Sequence, residues 1–336
     1  MNGSVLVTGG TGVVGRALVR RLVSDGREVR GLARSDSAAA ALTELGASPV
    51  RGDVLDRASL EGAMRDRSTV FHVAGVNAMC LRDASRMIRT NVEGSANVVR
   101  AAATAGVERV VVTSSASAIG EARGSEGRED APHRGRYLSA YERSKHQAER
   151  RVFELSDELG LAVVSVNPSS VQGPGRSTGS ARLLLDLVNG RLPLLVDTTI
   201  SIVDIADCAE GHVLAESRGE PGERYILSGS ALTTRDAVDL VERIWGLPRP
   251  VRFAPGWVAS AGAWIVAAAS RLAGRDPPVC PESVRTLRHG HRYDGSRATR
   301  ELGLRYTPID HTLLRTLEWC SERGLVPPAR PRRSRP

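Results

Sequence analysis

Apolar runs of four to seven residues alternate with helical-period segments over the first half of the chain. Residues 4–8 are apolar and lead into glycines, and residues 13–24 then repeat their apolar positions every three or four before stopping at Asp25-Gly26. That is strand, turn, helix. The same rhythm predicts strands over 28–33, 49–52, 69–74, 109–113 and 162–167, and helices over 38–45, 86–105 and 141–159, the last two closed by Gly106 and Gly160. Strands alternating with helices in this way predict an α/β fold with a doubly wound parallel sheet and right-handed crossovers.

Beyond Pro168 the rhythm loosens into glycine- and proline-containing stretches, with helical pieces predicted over 181–190, 206–217 and 234–245. The pattern divides the chain into a first domain over 1–170, to which a segment at about 200–228 returns, a smaller lobe over 171–326, and a Pro/Arg tail over 327–336 that is expected to be disordered. Residues 253–270 carry no charge, but Pro255, Gly256 and Gly262 make them a poor spanning helix, so a buried or surface-docking helix is expected.

Composition supports a globular protein: 41% of the 336 residues are apolar and 25% charged, with aromatics at 4%, which leaves the core to Val, Leu, Ala and Ile. The formal charge of +8 owes four units to Arg330, Arg332, Arg333 and Arg335, so the body is only mildly basic. Its scattered arginines do not suggest nucleic-acid binding. Cys80, Cys208, Cys280 and Cys320 lie far apart without Cys-x-x-Cys or matching histidine spacing, so neither a zinc site, nor any other metal, nor a disulfide framework is expected. A reduced, cytoplasmic protein follows, and the N-terminus does not read as a secretory signal.

The chemistry starts at Thr8-Gly9-Gly10-Thr11-Gly12-Val13-Val14-Gly15, where glycines at 9, 12 and 15 sit between the first strand and the first helix. A tight turn there brings backbone N–H groups and the positive end of a helix dipole to a pyrophosphate. Tyr141-Glu142-Arg143-Ser144-Lys145 opens a helix and puts Tyr141 and Lys145 on one face, while Thr113-Ser114-Ser115 ends the strand before it.

In that order, these motifs resemble the extended branch of the short-chain dehydrogenase/reductase superfamily, and the resemblance runs to about residue 320. Further marks are Gly52-Asp53-Val54, His72-Val73-Ala74-Gly75, Asn91-Val92-Glu93-Gly94, the run from Asn167 through Pro168, Ser169 and Val171 to Pro174, and Val203-Asp204-Ile205-Ala206-Asp207. Within the branch the chain is similar to members related to dihydroflavonol reductase, 3β-hydroxysteroid dehydrogenase and hopanoid-associated sugar epimerase. The resemblance implies a Rossmann-type sheet with a C-terminal substrate lobe, and Ser115, Tyr141 and Lys145 as catalytic residues. It also implies that Gly9, Thr11, Gly12, Val13, Val14, Gly15, Arg34, Asp53, Val54, Val73, Ala74, Gly75, Asn91, Thr113, Tyr141, Lys145, Pro168, Ser169 and Val171 contact the cofactor. Asp53 has a second reading as a helix N-cap, and His72 reads as a packing residue.

Gly31 to Ser35 holds no acid at the end of the second strand but has Arg34, which suits NADP(H), with NAD(H) as the alternative. The activity implied is reduction of a ketone, or oxidation of a secondary alcohol, on an apolar polycyclic or aromatic small molecule. The alternatives are a sugar-nucleotide epimerase or dehydratase and a non-catalytic dinucleotide-binding protein. Residues 197–204 lack the arginine that sugar-nucleotide enzymes of the branch use for pyrophosphate, although Arg176, Arg182 or Arg191 could substitute. Leu183, Leu184, Val188, Trp257 and Trp264 are candidate apolar substrate contacts, and the superfamily habit implies a homodimer through the helices over 86–105 and 141–159.

Overall fold

The computed structural model describes residues 3–192, 194–277 and 279–330. Its first half runs β1 (Val5–Thr8), α1 (Val13–Ser24), β2 (Val29–Ala33), α2 (Asp36–Glu44), β3 (Ser48–Arg51), α3 (Arg57–Met64), β4 (Thr69–His72), α4 (Ser85–Thr104), β5 (Arg109–Thr113), β6 (Glu126–Gly127), α5 (Ala140–Leu159) and β7 (Ala162–Pro168). The second half runs β8 (Ser170–Gln172), α6 (Ala181–Val188), β9 (Leu194–Val196), β10 (Thr199–Asp204), α7 (Ile205–Arg218), β11 (Arg224–Leu227), β12 (Ser230–Thr233), α8 (Thr234–Ile244), β13 (Arg252–Ala254), α9 (Gly256–Leu272), α10 (Pro281–His289), β14 (Arg292–Tyr293) and α11 (Ile309–Glu322).

Seven strands form the central sheet in the order β11-β7-β5-β4-β1-β2-β3, every neighbouring pair parallel. The four residues of β1 are fully buried because helices cover both faces of the sheet. One core layer packs Leu18, Val19 and Leu22 of α1 with Cys208 and Ala215 of α7. The other packs Leu60 and Met64 of α3 with Val98 and Ala102 of α4 and Val152 of α5. The chain order reverses direction between β1 and β4, so a crevice opens at their carboxyl ends, where such sheets bind ligands.

The returning segment divides its work. Helix α7 and strand β11 join the central sheet, whereas β10 pairs with β8 and β12 in a separate three-stranded sheet. The smaller lobe has its own core, built from Leu184 and Val188 of α6, Val241 of α8, and Leu313 and Leu317 of α11. Leu184 and Val188 are thus core residues rather than substrate contacts, and Leu183 and Trp257 face solvent. Helices α3, α10 and α11 escape the sequence reading; α3 and α10 are eight and nine residues long, too short to establish a period.

Two expectations are corrected. Cys80 and Cys280, 200 residues apart, form a disulfide with their Cα atoms 5.6 Å apart, because folding brings the loop after β4 against the start of α10. Within the expected tail, Pro327 and Arg330 pack on α8's end: the Trp245 indole N–H donates to the Pro327 carbonyl at 3.1 Å and the Arg330 N–H to the Trp245 carbonyl at 2.9 Å. Residues 331–336 lie outside the described residues. Of the two readings of residues 253–270, a buried or a surface helix, the structure gives a surface helix, α9, in which only Ala263 and Ala267 are fully buried. Among the described residues no helix is long and apolar enough to cross a membrane.

Candidate functional site

Gly9 has φ +70°, and a Cβ there would stand 2.6 Å from the Ala74 backbone nitrogen, so the turn after β1 touches the segment after β4 at the reversal of strand order. A Cβ on Gly15 would collide with the Gly9 carbonyl, and Gly12 donates its N–H to that carbonyl at 3.0 Å. Only glycine fits at 9 and 15. No side chain caps the first turn of α1, which leaves its N–H groups for an anion. This cradle, with Thr11, Val13 and Val14 around it, fits a dinucleotide pyrophosphate.

Two further loops close on the same crevice. Asn91 on α4 accepts the Val76 N–H at 2.7 Å and donates to the Val76 carbonyl at 3.0 Å and to Ser144 on α5 at 2.9 Å. It thereby fixes the Val73-Ala74-Gly75 turn against α5, and a Cβ on Gly75 would lie 3.4 Å from Lys145 Nζ. Asp53 accepts the Leu55 N–H at 3.0 Å within its own turn, and the cap of α3 is Asp56 instead. Buried Val54 packs against Gly94. Arg34 is exposed just beyond β2, and Asp36, the nearest acid, is held by Arg51 at 2.9 Å.

Ser139 caps α5 by accepting the Glu142 N–H at 3.0 Å, which orients the helix that carries Tyr141 and, one turn on, Lys145. Lys145 donates from Nζ to the Thr113 carbonyl at 2.8 Å, at the end of β5. Burial lowers its pKa to about 8, opposed by the Glu149 carboxylate one turn further. Burial raises the Tyr141 hydroxyl, while its hydrogen bond with Ser115 and the nearby Arg176 guanidinium pull it down. Ser115 starts the helical turn after β5 and accepts the Ser117 N–H at 3.3 Å. The neighbouring Ser114 hydroxyl is buried elsewhere without a partner. Pro168 ends β7, Ser169 donates its N–H to Leu227 at 2.9 Å, and Val171 lies in β8, so this strand-to-strand crossing borders the same crevice.

His72 is a packing residue as expected: it bridges Thr8 and Ser95, at 2.8 and 2.9 Å, and burial lowers its pKa to about 3. Two supporting groups escaped the sequence reading. Glu149 accepts from Asn167 at 2.6 Å and pairs with Arg224 at 3.0 Å, which links α5, β7 and β11 beneath the site. Glu121, His289 and His291 bring their donor atoms within 4.8 Å of one another, with His291 on Glu121 at 2.7 Å, and tie the loop after β5 to the small lobe. With 168 residues and more between them, no local spacing could have shown this.

Arg176, named in the sequence only as a stand-in for a missing phosphate contact, adds a further group. Its guanidinium lies in the cleft near Tyr141, reaches Ser180 at 3.3 Å and keeps a buried Nε without a partner; burial lowers its pKa.

The glycine turn, the strand-order reversal and the Ser115-Tyr141-Lys145 line can be set beside known proteins of similar sequence. Residues 5–228 match the model of the NAD dependent epimerase/dehydratase family. The chain belongs to that family. As a member of its extended short-chain type, it is an NAD(P)-dependent oxidoreductase enzyme. It is 34% identical over 329 residues to a Synechocystis protein named as a dihydroflavonol 4-reductase, covering 95% of each chain. It is 32% identical to sterol demethylase protein B of Methylococcus capsulatus, over 96% of this chain and all of that one. The crystal structure of gox2253 superposes with a TM-score of 0.84 at 32% identity, covering 96% of this chain and 99% of that one.

Proposed function

We propose that this enzyme reduces a ketone, or oxidises the matching secondary alcohol, on an apolar polycyclic or aromatic small molecule, with NADP(H) as the hydride carrier. The observation that carries the reading is the Ser115, Tyr141 and Lys145 alignment at the carboxyl ends of β5 and α5's first turn. Ser115 holds the substrate oxygen and stabilises the charge growing on it. Tyr141 gives that oxygen its proton, or takes it in the reverse direction. Lys145, charged below about pH 8, favours the phenolate left behind and offers its ammonium to the cofactor ribose. The nicotinamide supplies the hydride when bound. Glu149 and Asn91 act through Lys145 and α5 as positioning residues.

NADP(H) is favoured by Arg34, exposed at the end of β2 where a 2′-phosphate would lie, with no free carboxylate beside it. An apolar substrate is favoured by the stretch before β10, whose one charged side chain, Asp197, is already neutralised by Arg235 at 2.5 Å. The two relatives above carry a dihydroflavonol and a sterol in their names. Arg176 favours the second reading, a sugar-nucleotide epimerase or dehydratase, because a half-partnered buried guanidinium can hold a phosphate. Its coulombic pull on Tyr141 supports a position near the catalytic hydroxyl, which suits a polar group near the ketone better than a diphosphate a sugar ring away.

A panel of polycyclic and aromatic ketones, their alcohols, and UDP- and dTDP-sugars, followed by nicotinamide absorbance and calorimetry, tests the reading. Ketone turnover with higher kcat/KM for NADPH than NADH, lost in Arg34→Ala, is expected. Micromolar binding of a sugar nucleotide with turnover to its epimer would replace it with the second reading.

A further inference from the structure

Helix α9 breaks the rule by which a surface helix shows water its polar side. Its buried residues are Ala263 and Ala267, one turn apart. On the opposite arc, Trp257, Trp264, Ile265 and Leu272 are 69%, 62%, 71% and 91% exposed, and Ala261 and Ala268 continue the same stripe. No charge occurs over residues 253–270, so this face is apolar from end to end. An exposed apolar stripe of this length with two indoles on it marks an interaction surface rather than a solvated helix.

The surroundings specify the partner. Arg271 in the last turn of the helix and Arg275 just after it are both exposed. Beside it, Arg123, Arg136, Arg285 and Arg288 line a cavity of about 590 Å³ together with Trp264, and no carboxylate is among the lining groups. Arg285 donates to the Leu138 carbonyl and Arg288 to the Ser260 hydroxyl, both neutral, and among the described residues neither pairs with a carboxylate. Some exposed helical arginines elsewhere, such as Arg57 and Arg182, are paired with carboxylates one turn on. A second copy of the chain on this face would set two arginine collars against each other, whereas an anionic surface complements them. Seventeen residues at about 1.5 Å rise give about 25 Å, and no described helix is long and apolar enough to cross a membrane, so the helix would lie along an interface.

We propose that α9 is a membrane-docking helix: its Trp257/Trp264/Ile265/Leu272 stripe enters the headgroup–acyl boundary of an anionic phospholipid bilayer while the surrounding arginines engage the headgroups. The inference does not depend on which ketone is reduced. Its geometric consequence is that the cavity at Trp264 opens at the bilayer surface. Helix α10, which forms the cavity's other wall, is fixed to the start of α5 by Glu282 accepting the Ala140 N–H at 2.7 Å.

The test is co-sedimentation of the whole protein with phosphatidylcholine vesicles, pure or carrying about 30% phosphatidylglycerol. Binding to the anionic vesicles, at least roughly tenfold tighter than to neutral ones and weakened by salt, is expected. Tryptophan emission should shift to the blue and be quenched by brominated acyl chains, and Trp257→Phe with Trp264→Phe should abolish the quenching. Trp264→Glu with Ile265→Glu, and separately Arg271→Glu with Arg275→Glu, should each lower partitioning roughly tenfold without changing the thermal midpoint or NADPH binding. Absence of vesicle binding, wild-type partitioning in both charged variants, or a solution dimer that dissociates in Trp264→Glu/Ile265→Glu while vesicles go unbound would overturn the proposal. The last result would assign the stripe to self-association.

Discussion

Lys145 holds its ammonium where burial disfavours it, and only Glu149 nearby works the other way. The free enzyme should therefore lose its charged lysine as pH rises through about 8. If the ammonium is required, kcat/KM for ketone reduction should fall above about pH 8, and Glu149→Gln should move that limb to lower pH, because it removes the only group raising the pKa. An alkaline limb unmoved in Glu149→Gln would separate Lys145 from the rate. Tyr141→Phe should lower kcat by about 10²–10⁴-fold while NADPH titrates almost as in the wild type, the range expected for losing a general acid; wild-type turnover would remove Tyr141 from the mechanism. Ser115, Tyr141 and Lys145 were legible in the sequence because a strand end and an i,i+4 pair on one helix are local patterns. Glu149 sits one turn past Lys145 on the same helix, but its role was not legible, because the partners that hold it, Asn167 and Arg224, come from β7 and β11. Arg176 was named only as a stand-in phosphate contact, and its approach to Tyr141 depends on packing between separate elements.

The turn from β1 to α1 illustrates how far local pattern reaches at the scale of an element. The glycine spacing and the apolar period together predicted α1 at its observed bounds, because the approach of Gly15 to the Gly9 carbonyl lies within seven residues. Gly15→Ala should weaken NADPH binding at least roughly tenfold and cost about 1–3 kcal/mol of stability, since the new Cβ meets the Gly9 carbonyl and must push the turn open; fluorescence titration and urea unfolding measure both. Helix α10 is the opposite case. Its position is set by ties from far along the chain: the Cys80–Cys280 disulfide, Glu282 on the Ala140 N–H, and His289 and His291 around Glu121. Reduction, or Cys280→Ser, should lower unfolding free energy by about 2–4 kcal/mol through the freed loop of the unfolded chain. Equal urea midpoints with and without reductant would show that the bond does not form.

The molecule as a whole keeps two uncharged histidines under its site. His212 donates from Nδ1 to the Cys208 carbonyl at 2.7 Å and so accepts the Thr113 hydroxyl on Nε2 at 2.7 Å; burial lowers its pKa to about 4. His72 accepts the Thr8 hydroxyl in the same way, with its pKa lowered to about 3. Both folded values lie below the unfolded 6.5, so the unfolded chain takes up more protons between them. Their stabilisation is complete above about pH 6.5 and is lost as pH falls toward 4. At pH 5 each should already have cost about 2 kcal/mol relative to neutral pH, and His212→Asn should remove its share of that drop in urea unfolding. An equal pH dependence in the variant would show that His212 does not titrate between the two states. Along the chain, the sequence determined what neighbours within a turn or a strand decide: the parallel α/β rhythm, the glycine cradle, the capped helix with Tyr141 and Lys145, and the family to which these belong. Tertiary structure decided what depends on groups brought together from separate elements. It paired Cys80 with Cys280, gathered Glu121 with two histidines, drew Arg176 to Tyr141, sent Leu184 and Val188 into a core and left α9's apolar face outside, because burial and pairing are properties of the packed chain and not of any one segment of it.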